Sequence, residues 1–179
     1  MGKVILGMTL SPDGYINHRE DSVQALYSEL TDWRETGLRK ESIENTGAVV
    51  MGCNSDAMSE NPDWFAGNYA YQVPIFVLTH ESPQTHPRET DDLTFTFVTD
   101  GIESAVRQAE AAADHSNVNV IDAASTAQQC FKARLVDELH VDIVPVFIGG
   151  GLRRSDGPGD ELPILERFQV MELPAAELT

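Results

Sequence analysis

An alternating strand that stops at a proline and leads into glycines is the feature that most constrains the fold of this chain. Apolar and polar residues alternate across 139–144, Pro145 follows, and a short apolar run then ends in glycines at 149–151. A period of two predicts a half-buried strand, and proline cannot donate a ladder hydrogen bond. Glycine accepts a positive φ or the close approach of a ligand. The segment therefore predicts either an ordinary edge strand with its loop or a strand that ends at a ligand cleft.

The rest of the chain alternates short apolar runs with stretches of helical periodicity. Such alternation predicts an α/β fold, in which helices pack on the faces of a sheet. We find no repeat or linker, so residues 1–179 are predicted to form a single domain. The predicted strands are 4–10, 48–51, 75–78, 95–98 and 118–121, and the predicted helices are 22 to about 40, 101–113 and 125–133.

Composition argues against metal sites and membrane insertion. With 179 residues, of which 41% are hydrophobic, the chain can bury a core without disulfides or metals. Cys53 and Cys130 are far apart, and neither they nor the 5 histidines show the spacing of a metal site. The N-terminus does not read as a signal peptide, and no apolar run reaches membrane-spanning length. We therefore expect a cytoplasmic protein without a bound metal.

The chain is strongly acidic, with 29 acidic against 12 basic residues and a formal net charge of −17. Such a charge repels nucleic acids and anionic membranes, so neither is expected as a partner. A high-salt host, where counterions screen the repulsion, and an acidic protein of an ordinary cell both fit this composition. An anionic ligand would need a local cluster of hydrogen-bond donors to overcome the field.

Three more motifs occur in a fixed order before the glycine-rich segment. A first strand is followed by the turn Ser11-Pro12-Asp13-Gly14-Tyr15-Ile16, an apolar run ends at Met51-Gly52, and another ends at Thr79. Together these motifs resemble the riboflavin biosynthesis reductase family (RibD C-terminal domain-like), over most of the chain. The resemblance implies a dihydrofolate reductase-like fold with a mostly parallel central sheet, helices on both faces and an antiparallel C-terminal edge. It also implies that segments 139–148 and 167–173 pair at that edge, and that the protein is a homodimer.

The resemblance further implies NADPH as cofactor and the reduction of a small heterocyclic or carbonyl substrate, as in 5-amino-6-(5-phosphoribosylamino)uracil reductase and dihydrofolate reductase. Asp13 would lie near the nicotinamide and the substrate, as a proton relay or a substrate contact. Glycine-rich turns and helix N-termini would hold the phosphates, because free N–H groups and the helix dipole favour an anion. The residues that the resemblance places around the cofactor are Gly14, Gly52, Cys53, Ser55, Thr79, Asp122, Ala123, Ser125, Thr126, Gly149 and Gly150.

Three residues in two segments depart from the pattern of the family. Asp122 and Ala123 occupy a turn that normally carries two glycines, and a carboxylate repels a pyrophosphate. Cys53 stands where members of the family usually place an arginine, so a phosphate contact of about 1.5 to 3 kcal/mol is missing. These departures leave open a shift to NADH or a flavin. They also leave open a non-catalytic ligand-binding or regulatory protein that kept the fold.

Several candidate residues have structural interpretations of similar weight. Asp13 precedes a glycine, and Asp-Gly is intrinsically favoured in turns. Ser125 and Thr126 are equally good helix caps. Asp137 and Glu138, between a predicted helix and strand, are interpreted as structural ahead of functional.

If Asp122 excludes the cofactor, then replacing Asp122 and Ala123 together by glycine should raise the affinity for NADPH. The double variant would remove a repulsive charge and restore a turn that accepts positive φ. A fluorescence titration of nicotinamide in both proteins measures the change. Equal dissociation constants would contradict this account of the turn.

Overall fold

Parallel strands form one sheet in the part of the chain that the structure describes. The structure is a computed structural model, and it describes residues 2–16, 37–53, 61–121, 124–150, 165–167 and 169–170. The strands are β1 (Val4–Leu10), β2 (Thr46–Gly52), β3 (Ile75–Leu78), β4 (Phe95–Val98), β5 (Asn117–Ile121) and β6 (Glu138–Ile143). The helices are α1 (Gly37–Asn45), α2 (Ile102–Ala112) and α3 (Ala124–Lys132), with short helical turns at Pro62–Trp64 and Phe65–Asn68.

The strand order is β4-β3-β2-β5-β1-β6, and every pair is parallel. Parallel neighbours require crossover connections, which explains why helices alternate with strands along the chain. The order also places β5, which comes late in the sequence, between β2 and β1. All carboxyl ends consequently meet at one edge of the sheet.

Two apolar clusters cover the two faces of the sheet. Alternate residues of β2 separate between them: Ala48 and Val50 pack with α2 and α3, whereas Val49 and Met51 pack with Phe65 and Leu93. β2 therefore reads as a continuous apolar run, as expected for a strand covered on both faces. Complete burial of one such aliphatic or aromatic side chain contributes about 1.5–3 kcal/mol.

The sequence located most of these elements to within about two residues, and the α/β fold is confirmed. One end was wrong: the strand predicted to run to Ile148 stops at Ile143, because Pro145 cannot continue the ladder. The helix predicted over residues 22 to about 40 falls largely outside the described residues, and the described helix α1 runs from Gly37 to Asn45. In the predicted antiparallel segment 167–173, the described residues 167, 169 and 170 lie in no strand, and the others are not described.

Trp64 and Phe65 lie where the two short helical turns meet. Phe65 is 1% exposed and packs edge-on against Phe95, with ring centroids 5.8 Å apart. Trp64 is 44% exposed. Among the helices described, none is long and apolar enough to cross a membrane.

Gly47 lies at an irregularity in the pairing of β2 with β5, where the register shifts between Thr46 and Ala48. A Cβ atom on Gly47 would lie 2.5 Å from the carbonyl oxygen of Ala113, directly after α2. Glycine is thus required here for the close approach of two backbones. At Gly7 in β1, by contrast, no heavy atom of the described residues lies within 4 Å of the added Cβ.

Gly47→Ala should lower the free energy of unfolding by about 1–3 kcal/mol, because backbone atoms must move apart. Gly7→Ala is the matched control, and it should change stability by less than about 1 kcal/mol. Urea unfolding followed by circular dichroism measures both variants. Similar midpoints for Gly47→Ala and the wild type would show that the packing of α2 on β2 is not tight at this point.

Candidate functional site

The carboxyl edge of the sheet contains a topological switch point between β2 and β5. From β2 the chain continues to β3 on one side, whereas from β5 it continues through α3 to β6 on the other. Connections that leave neighbouring parallel strands in opposite directions open a crevice, and ligands of open α/β sheets bind there. This part of the fold is therefore our candidate site.

Most of the residues predicted to form a site lie at this edge. Gly52 ends β2 and Cys53 follows it, while Thr79 follows β3. Asp13 and Gly14 lie in the turn after β1, and Gly149 and Gly150 come after β6. Ser125 and Thr126 lie in the first turn of α3. Ser55, Asp122 and Ala123 lie outside the described residues, so their predicted roles stay predictions.

Asp13 binds the glycine-rich turn directly. Its Oδ2 accepts a hydrogen bond from the Gly149 N–H at 2.8 Å, and its Oδ1 accepts one from the Ile148 N–H at 3.3 Å. Gly14 and Gly149 have φ angles of +83° and +71°, which L-residues with side chains rarely adopt. The Asp13-Gly14 turn and the glycine-rich turn at Gly149 are therefore joined by hydrogen bonds in the folded protein.

The Asp13 turn is itself closed by Ser11, which sequence reasoning did not single out as a site residue. The Ser11 hydroxyl donates to the Tyr15 carbonyl at 3.1 Å and accepts from the Tyr15 N–H at 2.9 Å. Ser11 is 2% exposed. A serine that closes a turn onto its own backbone is a recognised local signal, but its pairing with Asp13 depends on the folded turn.

The pKa of Asp13 is lowered, first by a hydrogen bond from Ser11 and further by the backbone N–H groups of Gly149 and Ile148. Because the folded-state pKa lies below the unfolded value, the ionised carboxylate stabilises the fold above the ordinary aspartate pKa. That contribution is lost as the pH falls through the lowered value. An aspartate that is ionised at neutral pH is a poor proton donor there.

At the ends of β2 and β3, hydrogen bonds fix the backbone around the crevice. The Cys53 N–H donates to the Leu78 carbonyl at 3.0 Å, and the Thr79 N–H donates to the Val98 carbonyl at 3.0 Å. The Thr79 hydroxyl donates to the Glu81 carbonyl at 2.9 Å, so it serves its own turn. Gly52 is buried and pairs with Leu78.

The two hydroxyl residues of α3 differ in accessibility. Ser125 is exposed, whereas Thr126 is 2% exposed and belongs to the packed part of the helix. Ser125 is thus the better candidate to offer a hydroxyl to an anion at this helix terminus. The described segments that directly follow the strands at this edge, residues 11–16, 52–53, 79–80, 99–101, 121, 124–126 and 144–150, contain no lysine or arginine.

Asp137 and Glu138 lie at the opposite, amino-terminal edge of the sheet and make structural contacts. Asp137 Oδ2 accepts a hydrogen bond from the Val4 N–H at 2.8 Å, and the Asp137 N–H donates to the Val4 carbonyl at 2.9 Å. Lys3 forms an ion pair with Glu138, and the hydrogen bond from Lys3 is the main cause of the lowered pKa of Glu138. These contacts agree with the structural interpretation of the acidic pair.

A cavity of about 530 Å³ opens beside these two residues, with Lys3, Glu110 and Arg134 also in its lining. It lies at the amino ends of β1 and β6, away from the switch point. Ligand sites of open parallel sheets lie at the carboxyl ends, so we do not assign this cavity to the site.

The two cysteines should differ in reactivity. Cys130 is fully buried and its pKa is raised to about 12 by desolvation, whereas Cys53 is partly exposed at the crevice. A thiol reagent should therefore modify one thiol in the native protein and the second only on unfolding. Cys53→Ser should abolish the native reaction, and its persistence in that variant would contradict the assignment.

Comparisons with known proteins agree with this geometry. A putative riboflavin biosynthesis protein from Shewanella sp. PV-4 has a TM-score of 0.65 and 22% identity, over 85% of this chain and 82% of that one. A deaminase/5-amino-6-(5-phosphoribosylamino)uracil reductase from Thermotoga maritima has a TM-score of 0.58 and 14% identity, over 85% of this chain and 47% of that one. The riboflavin biosynthesis reductase Rib7 of Saccharomyces has a TM-score of 0.50 and 12% identity, over 86% of this chain and 78% of that one.

At these identities the structures establish the fold alone, and this chain spans about half of the Thermotoga protein. No curated protein sequence matches the chain significantly. The sequence profile of the RibD C-terminal domain, however, matches residues 2–173, which is nearly the whole chain. On that match, together with the parallel sheet and its carboxyl-edge crevice, the chain belongs to the RibD C-terminal domain family.

Proposed function

We propose that this protein is an NADPH-dependent reductase of a small heterocyclic or carbonyl substrate. The observation that carries the proposal is that turns from separate parts of the sequence lie at one edge of the sheet, which also contains the switch point. Gly52 ends a strand at this edge, and four other candidate residues follow strands that end there: Asp13, Thr79, Ser125 and Gly149. A dinucleotide is the kind of ligand that such an edge accommodates.

The chemistry asks little of the protein side chains. When bound, the nicotinamide supplies the hydride, and the protein contributes binding, orientation and the exclusion of water. The described residues fit this division, because the edge offers backbone turns that are fixed by hydrogen bonds.

Neutral N–H groups and hydroxyls would hold the phosphates, because the described segments that follow the strands at this edge contain no lysine or arginine. Ser125 is exposed in the first turn of α3, where the helix dipole favours an anion. For a chain with a net charge of −17, such neutral donors must overcome a repulsive field. Binding is therefore expected to strengthen as salt screens that field.

The Thermotoga protein named above is a deaminase/5-amino-6-(5-phosphoribosylamino)uracil reductase, and the Saccharomyces protein is a riboflavin biosynthesis reductase. By analogy of fold we infer a substrate of related chemistry, a small nitrogen heterocycle. The homodimer and the cytoplasmic location stay predictions from the resemblance and the composition.

A non-catalytic ligand-binding or regulatory protein is the second candidate. The sequence favours it at Asp122, Ala123 and Cys53, where family features for phosphate recognition are absent. The position of Cys53 at the switch point gives this departure structural meaning, because a thiol there supplies neither a positive charge nor a bidentate donor.

Titration with NADPH and NADH, followed by nicotinamide fluorescence at low and high salt, tests the proposal. We expect saturable NADPH binding with a dissociation constant in the micromolar range, which corresponds to about −8 kcal/mol. Bound NADPH should also slow the modification of Cys53. Absence of binding by either nucleotide at both salt concentrations would favour the regulatory protein.

Cys53→Arg is the matched gain-of-affinity variant. An arginine at this position should tighten NADPH binding about tenfold or more, because it restores a charge-assisted phosphate contact. The same variant should affect a ligand without phosphates far less. Unchanged NADPH affinity would place the phosphates away from the end of β2.

A further inference from the structure

Among the described residues, the glycine-rich turn after β6 lies in no strand. β6 pairs with β1 up to the hydrogen bond from the Val144 N–H to the Leu10 carbonyl at 3.0 Å. Pro145 then has no N–H to donate, and the Val146 N–H turns back to the Val144 carbonyl at 2.8 Å. Beyond this point pairing with β1 no longer fixes the position of the turn.

Asp13 supplies that contact from a position 136 residues away in the sequence. One carboxylate oxygen binds the Gly149 N–H and the other binds the Ile148 N–H. The carboxylate is itself oriented, because Ser11 and Gly14 close its turn through the Gly14 N–H bond to the Ser11 carbonyl at 2.9 Å. Each turn therefore limits the movement of the other.

We propose that Asp13 is a positioning residue, an internal anion that fastens the Gly149 turn to the end of β1 and occupies its N–H groups. Its function is then to shape the crevice and not to carry a proton. The part of this inference that concerns ligand binding rests on the proposed reductase function.

The proposal has a consequence for phosphate binding. Backbone N–H groups in glycine-rich turns are ordinary phosphate ligands, but those of Ile148 and Gly149 already serve the Asp13 carboxylate. A phosphate at these N–H groups would have to displace a negative charge. The cofactor phosphates are accordingly expected at other turns, such as the first turn of α3.

The charge state of Asp13 agrees with this role. Ser11 and the two N–H groups lower the pKa of its carboxyl, so the anion that accepts both hydrogen bonds persists to a lower pH than an ordinary aspartate would. A proton relay at neutral pH would instead call for a pKa near the working pH.

Amide hydrogen exchange on the full chain tests the contact without any assay of activity. In Asp13→Ala the Ile148 and Gly149 amides should exchange at least about tenfold faster than in the wild type, since both lose a charged acceptor. Asp91→Asn is the matched control, because Asp91 is exposed in the loop before β4. In this variant the Ile148 and Gly149 amides should exchange at the rates of the wild type.

The wild type alone provides a second readout, which stands even if an Asp13 variant does not fold. Its Ile148 and Gly149 amide resonances should shift together as the pH falls, with one midpoint below the ordinary aspartate pKa. Unchanged exchange in a folded Asp13→Ala variant, or no common titration of these two amides, would overturn the proposal.

The nucleotide-dependent arm separates this inference from the proposed function. Asp13→Asn keeps one oxygen acceptor, so a positioning role predicts NADPH affinity between that of the wild type and that of Asp13→Ala, with the same pH profile of turnover. A proton relay predicts that Asn and Ala are equally inactive and that the profile changes, which would overturn the proposal. If the wild type binds neither nucleotide, the reductase function falls, while the exchange data still decide the role of Asp13.

Discussion

The parallel pairing of β1 between β5 and β6 is the constraint on which the rest of this structure depends. It brings the ends of strands that begin near residues 4, 117 and 138 to one edge. Parallel strands cannot be joined by tight hairpins, so the chain must cross the sheet through helices, and each crossing returns to the same amino-terminal edge. At the carboxyl edge, the segments that follow the strands are therefore not tight hairpin turns, and they can form a ligand site.

The negative charge of the chain limits how the candidate site can bind an anionic cofactor. A protein with 29 acidic and 12 basic residues that binds a phosphorylated cofactor must neutralise the anion locally. Under the proposed function, neutral donors at the carboxyl edge, such as the hydroxyl of the exposed Ser125 in α3, would serve this purpose. Such donors are fixed by the fold and keep their orientation at any salt concentration, whereas the repulsion of distant carboxylates is screened.

Asp13 shows how one residue fits two descriptions until its contacts are known. In the sequence it is equally a turn residue and a carboxylate at a cleft. In the structure its oxygens bind the backbone of the glycine-rich turn, and each of the two turns contains a glycine at positive φ. Their contacts likewise exclude Asp137 and Glu138 from the candidate site. Asp137 binds Val4 and Glu138 binds Lys3, both at the amino-terminal edge of the sheet.

By itself, the sequence determined the α/β class, most strand and helix positions, and the family, because periodicity and local motifs are encoded over short distances. It also predicted that Pro145 would interrupt pairing, although the predicted strand ran past it to Ile148. Only the tertiary structure decided that β5 inserts between β2 and β1, and that Asp13 meets Gly149. Both depend on contacts between residues far apart in the chain, and no local pattern specifies which distant strands or turns will become neighbours.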